Sequence, residues 1–171
     1  MLTAVLLAFD APAQPLRRDA IARSLASLVE ACVQGLVADA VLAGPPARGL
    51  GQIADEAGCA LVEALRVEDG LARALDMTRH DDILLLQAGH AVQRGFIDEV
   101  NDAFTYGHRG RALVLRSAPD SFLTRLAPKF AEPVAIIAPK SALREVASAD
   151  LSLLAKRLRG AELKSCARRA F

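Results

Sequence analysis

Residues 3–10 read Thr-Ala-Val-Leu-Leu-Ala-Phe-Asp, a nearly unbroken apolar run that stops at a carboxylate. A strand buried on both faces has this pattern, because helices cover a parallel sheet from above and below. Similar runs recur along the chain. Together they predict six strands: Thr3–Phe9, Ala40–Ala43, Ala60–Leu65, Ile83–Leu86, Ala112–Leu115 and Val134–Ala138.

Helical patterns lie between these strands, with apolar residues at spacings of three and four. They cover the segments Ile21–Cys32, Phe96–Phe104, Phe122–Phe130 and Leu143–Leu158. Asp120 or Ser121 can cap the third of them. Strands that alternate with helices predict an α/β domain with three layers, doubly wound around a mostly parallel sheet of about six strands.

The composition limits the class of protein. The 171 residues suffice for one domain with a real core. Because 21 basic residues nearly balance 20 acidic ones, we expect no nucleic acid partner held by overall charge. The three cysteines are widely spaced and lack a C-x-x-C pair, which predicts neither disulfides nor zinc and fits a cytoplasmic protein. The longest uncharged central segment, Ile83–Gln93, is shorter than the roughly 18 apolar residues that span a bilayer.

Positive charge concentrates near the C-terminus. Residues 156–171 contain six basic side chains and one acidic one, a net +5 against −4 for the rest of the chain. The sequence therefore divides into a domain of residues 1–160 and a basic C-terminal tail of residues 161–171. One interpretation is a solvated helix face with a frayed terminus. The other is a tail that contacts anionic lipid at the inner membrane face, or a phosphorylated ligand.

Loops that follow the strands are the candidate site, because doubly wound sheets bind ligands beyond the carboxyl ends of their strands. These loops are Asp10–Pro15, Gly44–Gly51, Gln87–Arg94 and Ser117–Ser121. Asp10 ends the first strand and is a candidate nucleotide- or substrate-binding residue.

The glycine-rich loop Gly44–Gly51 contains Arg48. It resembles the phosphate-binding loop of sugar and molybdopterin nucleotidyltransferases, and this resemblance implies that Gly44 and Arg48 contact a nucleotide. The alternative is an ordinary tight turn from strand to helix, since Pro45 and Pro46 have no N–H to offer a phosphate.

Gln87 and His90 follow the fourth predicted strand, and Asp150 precedes the last helical pattern. Gln87 can exchange hydrogen bonds but is a poor ligand for a hard cation. His90 can bind a transition metal, although a lone loop histidine is more often a surface residue. Asp150 is either an N-terminal helix residue favoured by the helix dipole or a carboxylate that acts as general base.

The order of elements resembles the family 2 glycosyltransferases, which have the GT-A fold. The residues that carry the resemblance are Leu25-Ala26-Ser27-Leu28 in the first helix, Arg94–Glu99 after the fourth strand, and Asp150–Gly160. The resemblance implies a nucleotide-sugar donor as partner, and it implies that Asp150 is the catalytic base.

The family's metal and nucleotide motifs are degenerate in this chain. Gln87-Ala88-Gly89 stands where the family has Asp-x-Asp, and Ala43-Gly44-Pro45-Pro46 stands where it has Asp-Gly-Ser-x-Asp. An amide and a glycine cannot replace two carboxylates around a divalent ion. Mg²⁺ or Mn²⁺ would therefore need a non-standard site, and the sequence predicts no metal ligands.

Three functions remain open from the sequence. The first is a glycosyltransferase-like protein with lost or altered catalysis, in which Asp10, Gly44, Arg48, Gln87 and His90 contact the nucleotide or substrate. The second is a non-catalytic module on the same fold that binds a partner protein or an envelope component. The third is a nucleotidyltransferase-like nucleotide binder.

Overall fold

The computed structural model describes residues 1–10, 15–107, 110–119, 126, 130–146 and 148–170, which form an eight-stranded sheet with helices on both faces. The strands are β1 (Leu2–Leu7), β2 (Val37–Gly44), β3 (Ala60–Glu63), β4 (Asp82–Gln87), β5 (His90–Val92), β6 (Leu113–Ser117), β7 (Pro133–Pro139) and β8 (Ala161–Arg169). The helices are α1 (Arg18–Ala26), α2 (Val29–Val33), α3 (Leu50–Ala57), α4 (Val67–Met77), α5 (Phe96–Thr105), α6 (Lys140–Val146) and α7 (Leu151–Leu158).

The strand order is β3-β2-β1-β4-β7-β6-β8-β5. The first four strands in this order are parallel, β7 is antiparallel to both of its neighbours, β8 is parallel to β6, and β5 is antiparallel to β8. The carboxyl ends of β1, β4, β6 and β8 therefore lie along the same edge of the sheet as the amino end of β7. The predicted α/β fold with a mostly parallel sheet is confirmed, with eight strands in place of about six.

Two cores cover the two faces of the sheet. On one face, apolar residues of α1, α2, α3 and α5 pack on the strands, for example Ile21, Leu50 and Phe96. On the other face, α4, α6 and α7 contribute Leu71, Leu143 and Leu154. All six residues of β1 are buried, which explains why its sequence is apolar without alternation.

Two predicted helices are each divided in the structure. The segment Ile21–Cys32 contains the end of α1 and most of α2, with the break at Ser27 and Leu28. The segment Leu143–Leu158 contains parts of α6 and α7, because Asp150 caps a new helix instead of continuing the old one. Most of the predicted helix Phe122–Phe130, with its caps Asp120 and Ser121, lies outside the described residues. The same is true of residues 11–14 of the first loop.

The structure differs from the expectation of a frayed tail over residues 161–169, which form β8 between β6 and β5. Exposed Glu162, Lys164 and Arg168 alternate along this strand with more buried residues, and Ala167 is fully buried. A charged outer face hid the alternation, because the apolar residues of β8 pack in only one of the two cores formed by the described residues. No helix in the described part of the chain is long and apolar enough to cross a membrane.

Candidate functional site

A cleft opens at the edge of the sheet where β1 and β4 end. It has two lobes, both lined by Phe9, Gln87 and Glu132. The first, called here the basic lobe, has a volume of about 350 Å³ and is also lined by Arg17 and by His90, Arg169 and Gly89. The second, called the acidic lobe, has a volume of about 270 Å³ and is also lined by Asp10, Asp150, Val67 and Ser152.

The turn between β4 and β5 carries Gln87 and His90 into the cleft. Gly89 forms this turn with φ of +89°, and a Cβ there would lie 2.9 Å from the side chain of Leu16. The hydroxyl of buried Ser24 in α1 accepts a hydrogen bond from the Gly89 N–H at 2.9 Å. Helix α1 therefore fixes the turn, and with it the position of both candidate residues.

His90 lies against Arg169, its register partner in the β5–β8 ladder. Its Nδ1 is buried and has no hydrogen-bond partner among the described residues. Burial lowers the pKa of His90 below its ordinary value, a hydrogen bond with the Gln87 backbone partly opposes this, and the positive charge of Arg169 lowers the pKa further. The imidazole is therefore neutral at pH 7 and can donate one hydrogen bond and accept another.

Asp10 and Arg48 form an ion pair with each other. The other carboxylate oxygen of Asp10 accepts a hydrogen bond from the Leu16 N–H at 2.6 Å, and Arg48 donates to the Leu16 carbonyl. The pair thus holds the segment that leads into α1. Asp10 lines the acidic lobe, whereas Arg48 lines neither lobe.

Gly44 also lies outside the lining of both lobes. A Cβ at this position would lie 2.5 Å from the side chain of Leu50 and 3.0 Å from the Ala8 carbonyl oxygen. After Gly44 the chain forms one turn of 3₁₀ helix at Pro46–Arg48 and then enters α3. In the structure, the loop Gly44–Gly51 is a tight strand-to-helix turn.

Asp150 is the N-cap residue of α7. Its Oδ1 accepts hydrogen bonds from the N–H groups of Ser152 at 2.8 Å and Leu153 at 3.1 Å. Its Oδ2 has no hydrogen-bond partner within the described part of the chain. The sequence left open whether Asp150 belongs to a helix N-terminus or serves as a general base. The structure is compatible with both, because the carboxylate caps α7 and also lines the acidic lobe.

The two lobes carry opposite charge. Carboxylates line the acidic lobe at Asp10, Glu132 and Asp150, whereas Arg17 and Arg169 line the basic lobe together with the shared Glu132. No group of three or more His, Cys, Asp or Glu side chains among the described residues is placed to hold a metal ion. Asp10 is also neutralised by its arginine partner.

Sequence reasoning missed four residues that line the cleft: Phe9, Arg17, Glu132 and Arg169. Phe9 ends the first predicted strand, and its ring packs against α4, where a Cβ on Gly70 would lie 2.8 Å from it. Glu132 precedes β7, whose antiparallel direction brings its amino end to the cleft edge. Arg169 was missed because the sequence placed it in a C-terminal tail and gave no sign of the strand β8. Only Phe9 was signalled by the rule that ligands bind beyond the carboxyl ends of strands.

Comparison with known proteins identifies the fold. No protein-family model and no curated protein sequence matches the chain. Among solved structures, glucosyl-3-phosphoglycerate synthase from Mycobacterium tuberculosis, in complex with Mn²⁺, UDP and glucosyl-3-phosphoglycerate, is 16% identical and superposes with a TM-score of 0.64. The match covers 94% of this chain and 68% of that one.

Two further structures are similar over most of both chains. A Bacillus anthracis protein described as a glucose-1-phosphate thymidylyltransferase, in complex with sucrose, is 11% identical with a TM-score of 0.62, covering 99% of this chain and 90% of that one. The 2-C-methyl-D-erythritol 4-phosphate cytidylyltransferase of Thermus thermophilus is 18% identical with a TM-score of 0.53, covering 96% and 89%. The chain thus has the GT-A-like fold of nucleotide-sugar transferases and nucleotidyltransferases; at these identities the likeness is one of fold.

Proposed function

We propose that this protein binds a nucleoside-diphosphate-linked sugar in the two-lobed cleft, and that its transfer chemistry is lost or altered relative to metal-dependent transferases. The observation that carries the proposal is the position and charge of the cleft. It lies at the carboxyl ends of β1 and β4, where open α/β sheets bind ligands, and its two lobes differ in charge.

The opposite charges of the lobes suit the two halves of such a ligand. A diphosphate carries negative charge and is attracted to Arg17 and Arg169 in the basic lobe. Sugar hydroxyls donate hydrogen bonds, which the carboxylates of Glu132 and Asp150 can accept in the acidic lobe. Gln87 lines both lobes and can donate to one half of the ligand while it accepts from the other.

Asp150 is the residue we assign as general base if transfer occurs. Its Oδ1 is fixed by two N–H groups of α7, which leaves Oδ2 to accept the proton of an acceptor hydroxyl. The rigid helix cap holds the carboxylate in one orientation, which favours proton transfer from a positioned alcohol. The described residues hold no group of three or more metal-ligating side chains, and no step of this chemistry is assigned to a metal.

Isothermal titration calorimetry tests the proposal. UDP, GDP, CDP, ADP and dTDP, and a sugar conjugate of each, are titrated into the wild-type protein with and without Mn²⁺. We expect one nucleotide series to bind, with the sugar conjugate binding more tightly than the diphosphate alone. Asp150→Asn should weaken binding of the conjugate, because the amide presents a donor where the carboxylate presents only acceptors.

Asp98→Asn is the matched control, because Asp98 is exposed in the first turn of another helix, α5, and lines neither lobe. It should bind the conjugate as the wild type does. Absence of heat across the whole panel would contradict the proposal and favour the non-catalytic interaction module instead.

A further inference from the structure

We propose that Arg169, supported by Arg17 and the N-terminus of α1, binds the diphosphate directly and takes the place of a metal ion, so that nucleotide binding is metal-independent. This inference rests on the nucleotide-sugar binding proposed above and specifies how the phosphate charge is neutralised. It assigns a ligand-binding role to the basic segment of the chain.

The residues at the end of β4 explain why a bound diphosphate would need cations from the protein. The residues there are Gln87, Ala88 and Gly89, which offer an amide and backbone groups but no carboxylate. Glu132 is the one carboxylate that lines the basic lobe among the described residues, whereas Asp10 pairs with Arg48 and Asp150 caps α7 through one oxygen. A diphosphate in the basic lobe must therefore be stabilised by protein cations and N–H groups.

Arg169 is placed for this role by the sheet. It ends β8, pairs with His90 in the β5–β8 ladder, and lines the basic lobe. The ladder continues past it, since the Ala170 N–H donates to the Gly89 carbonyl at 2.8 Å. The strand end is thus fixed beside the turn that carries Gln87 and His90.

The guanidinium of Arg169 has no ion-pair partner among the described residues. In this respect it differs from Arg48, Arg116 and Arg144, each of which pairs with a carboxylate. An arginine in a concave site that is not in an ion pair keeps its planar set of donors available for a ligand, and that geometry matches a phosphate.

Helix α1 supplies further positive character to the same lobe. Its N-cap residue Arg17 and Ala20 of its first turn line the lobe, and the Arg17 side chain makes no hydrogen bond to the helix N–H groups. The helix has nine residues, so its N-terminus carries partial positive charge. Among the described residues Arg17 forms an ion pair only with exposed Asp19, at 3.0 Å, and such a surface pair is weak enough to exchange for a phosphate.

His90 lines this lobe beside Arg169, its neighbour in the ladder, and its Nδ1 has no hydrogen-bond partner among the described residues. The diphosphate site proposed here therefore rests on Arg169 and Arg17, with the N-terminus of α1 at the same lobe.

The test measures binding in EDTA. Inorganic pyrophosphate and the nucleoside diphosphates UDP and GDP are titrated into the wild type, Arg169→Gln, Arg17→Gln and Arg168→Gln. Arg168 is the matched control, because it is the next residue of β8, is exposed, and lines neither lobe. We expect wild-type binding without metal, a loss of tenfold or more in Arg169→Gln, a smaller loss in Arg17→Gln, and a change of less than twofold in Arg168→Gln.

Two further measurements distinguish loss of the phosphate contacts from loss of the nucleoside contacts or of the fold. Uridine and guanosine should bind to Arg169→Gln as to the wild type, because they lack the diphosphate. Melting temperatures of the four proteins show whether a variant has lost its fold, and Arg17→Gln at the exposed rim tests the site even if Arg169→Gln is unstable.

The outcomes distinguish this inference from the proposed function. UDP or GDP binding that requires Mn²⁺, or that Arg168→Gln weakens as much as Arg169→Gln, would overturn the metal-independent site and leave the nucleotide proposal standing. Pyrophosphate binding that depends on Arg169, with no binding of any nucleoside diphosphate or sugar conjugate, would overturn the nucleotide proposal alone. Absence of pyrophosphate and diphosphate binding would overturn the inference.

Discussion

Gly44 has no room for a side chain. Its Cα faces Leu50 of α3 on one side and the carbonyl of Ala8, just beyond β1, on the other. Gly51, seven positions later, stands in the first turn of α3 with open space where a Cβ would be. The two glycines of one glycine-rich loop therefore have different reasons to be glycine, and neither reason requires a phosphate.

We predict opposite effects of alanine at these two positions. Gly44→Ala should lower the free energy of unfolding by about 1–3 kcal/mol, because the methyl group overpacks a rigid contact. Gly51→Ala should raise it by up to about 1 kcal/mol, because alanine has the higher helix propensity and restricts the unfolded chain. Urea denaturation measures both. If Gly44→Ala were as stable as the wild type, the close contact would not be a constraint.

The placement of single residues shows how far the sequence predicts the site. Asp10, Gln87 and His90 come from loops that the strand-end rule singled out and line the cleft, whereas Gly44 and Arg48, from another such loop, do not. Asp150, which the resemblance singled out, also lines the cleft. Glu132 could not be found this way, because the rule assumes parallel strands and β7 runs the other way. The binding roles of all these residues remain predictions.

The strand β8 is held by a side chain of helix α5. The pairing between β6 and β8 is irregular between Val114 and Arg116, and the β8 residues opposite this irregularity have N–H groups outside the ladder. The carboxylate of Glu99 accepts hydrogen bonds from two of them, Lys164 at 2.5 Å and Ser165 at 2.8 Å. Burial alone would raise the pKa of Glu99, but these hydrogen bonds outweigh it and lower the pKa below its ordinary value.

We predict that Glu99→Gln weakens the fold in a pH-dependent way. A carboxyl group whose pKa is lower in the folded state stabilises the protein fully above its unfolded pKa of about 4.3, and this contribution is lost as the pH falls through the folded pKa. The difference in unfolding free energy between wild type and variant should be about 1 kcal/mol near pH 7, since the group is partly exposed. It should shrink as the pH falls below about 4.

Urea titrations at several pH values measure this difference, and Asp98→Asn serves as the control because Asp98 is exposed on the same helix turn. A difference that is the same at neutral and acid pH would contradict the role assigned to the ionised carboxylate.

The elements of the sheet were predictable to different degrees. All six strands expected from apolar runs are present, because strands covered on both faces have no polar side to interrupt the run. The three residues of β5 are too few to show a period, and β8 carries charged residues on its exposed face. Both of these strands lie together at one end of the sheet order, and their apolar residues pack in only one of the two cores formed by the described residues.

The sheet is graded in burial from its centre to its ends. All positions of β1 are buried, and so are the central positions of β4 and β7, whereas the three residues of edge strand β5 are half-buried and edge strand β3 has one fully buried residue of four. Local opening of a fold starts where few apolar contacts hold the backbone.

We predict that amide hydrogen exchange follows this gradient. Amides of β1, β4 and β7 should exchange only through global unfolding, and those of β5 should exchange orders of magnitude faster through local opening. Exchange followed by mass spectrometry on peptides covering each strand measures the order. Equal protection of β5 and β1 would show that β5 opens only when the whole sheet does.

The distance in sequence between β5 and β8 has a kinetic consequence. The strands β1, β2 and β3 follow one another along the chain, and each pairs with the next across a single crossover connection. His90 and Arg169, in contrast, meet only after most of the second half of the chain is in place. Closing a long loop costs more entropy than closing a short one. The β5–β8 pairing that places Arg169 beside the basic lobe should therefore form late in refolding, after the rate-limiting step. A ligand bound there would then slow the unfolding of the protein and leave its folding rate almost unchanged.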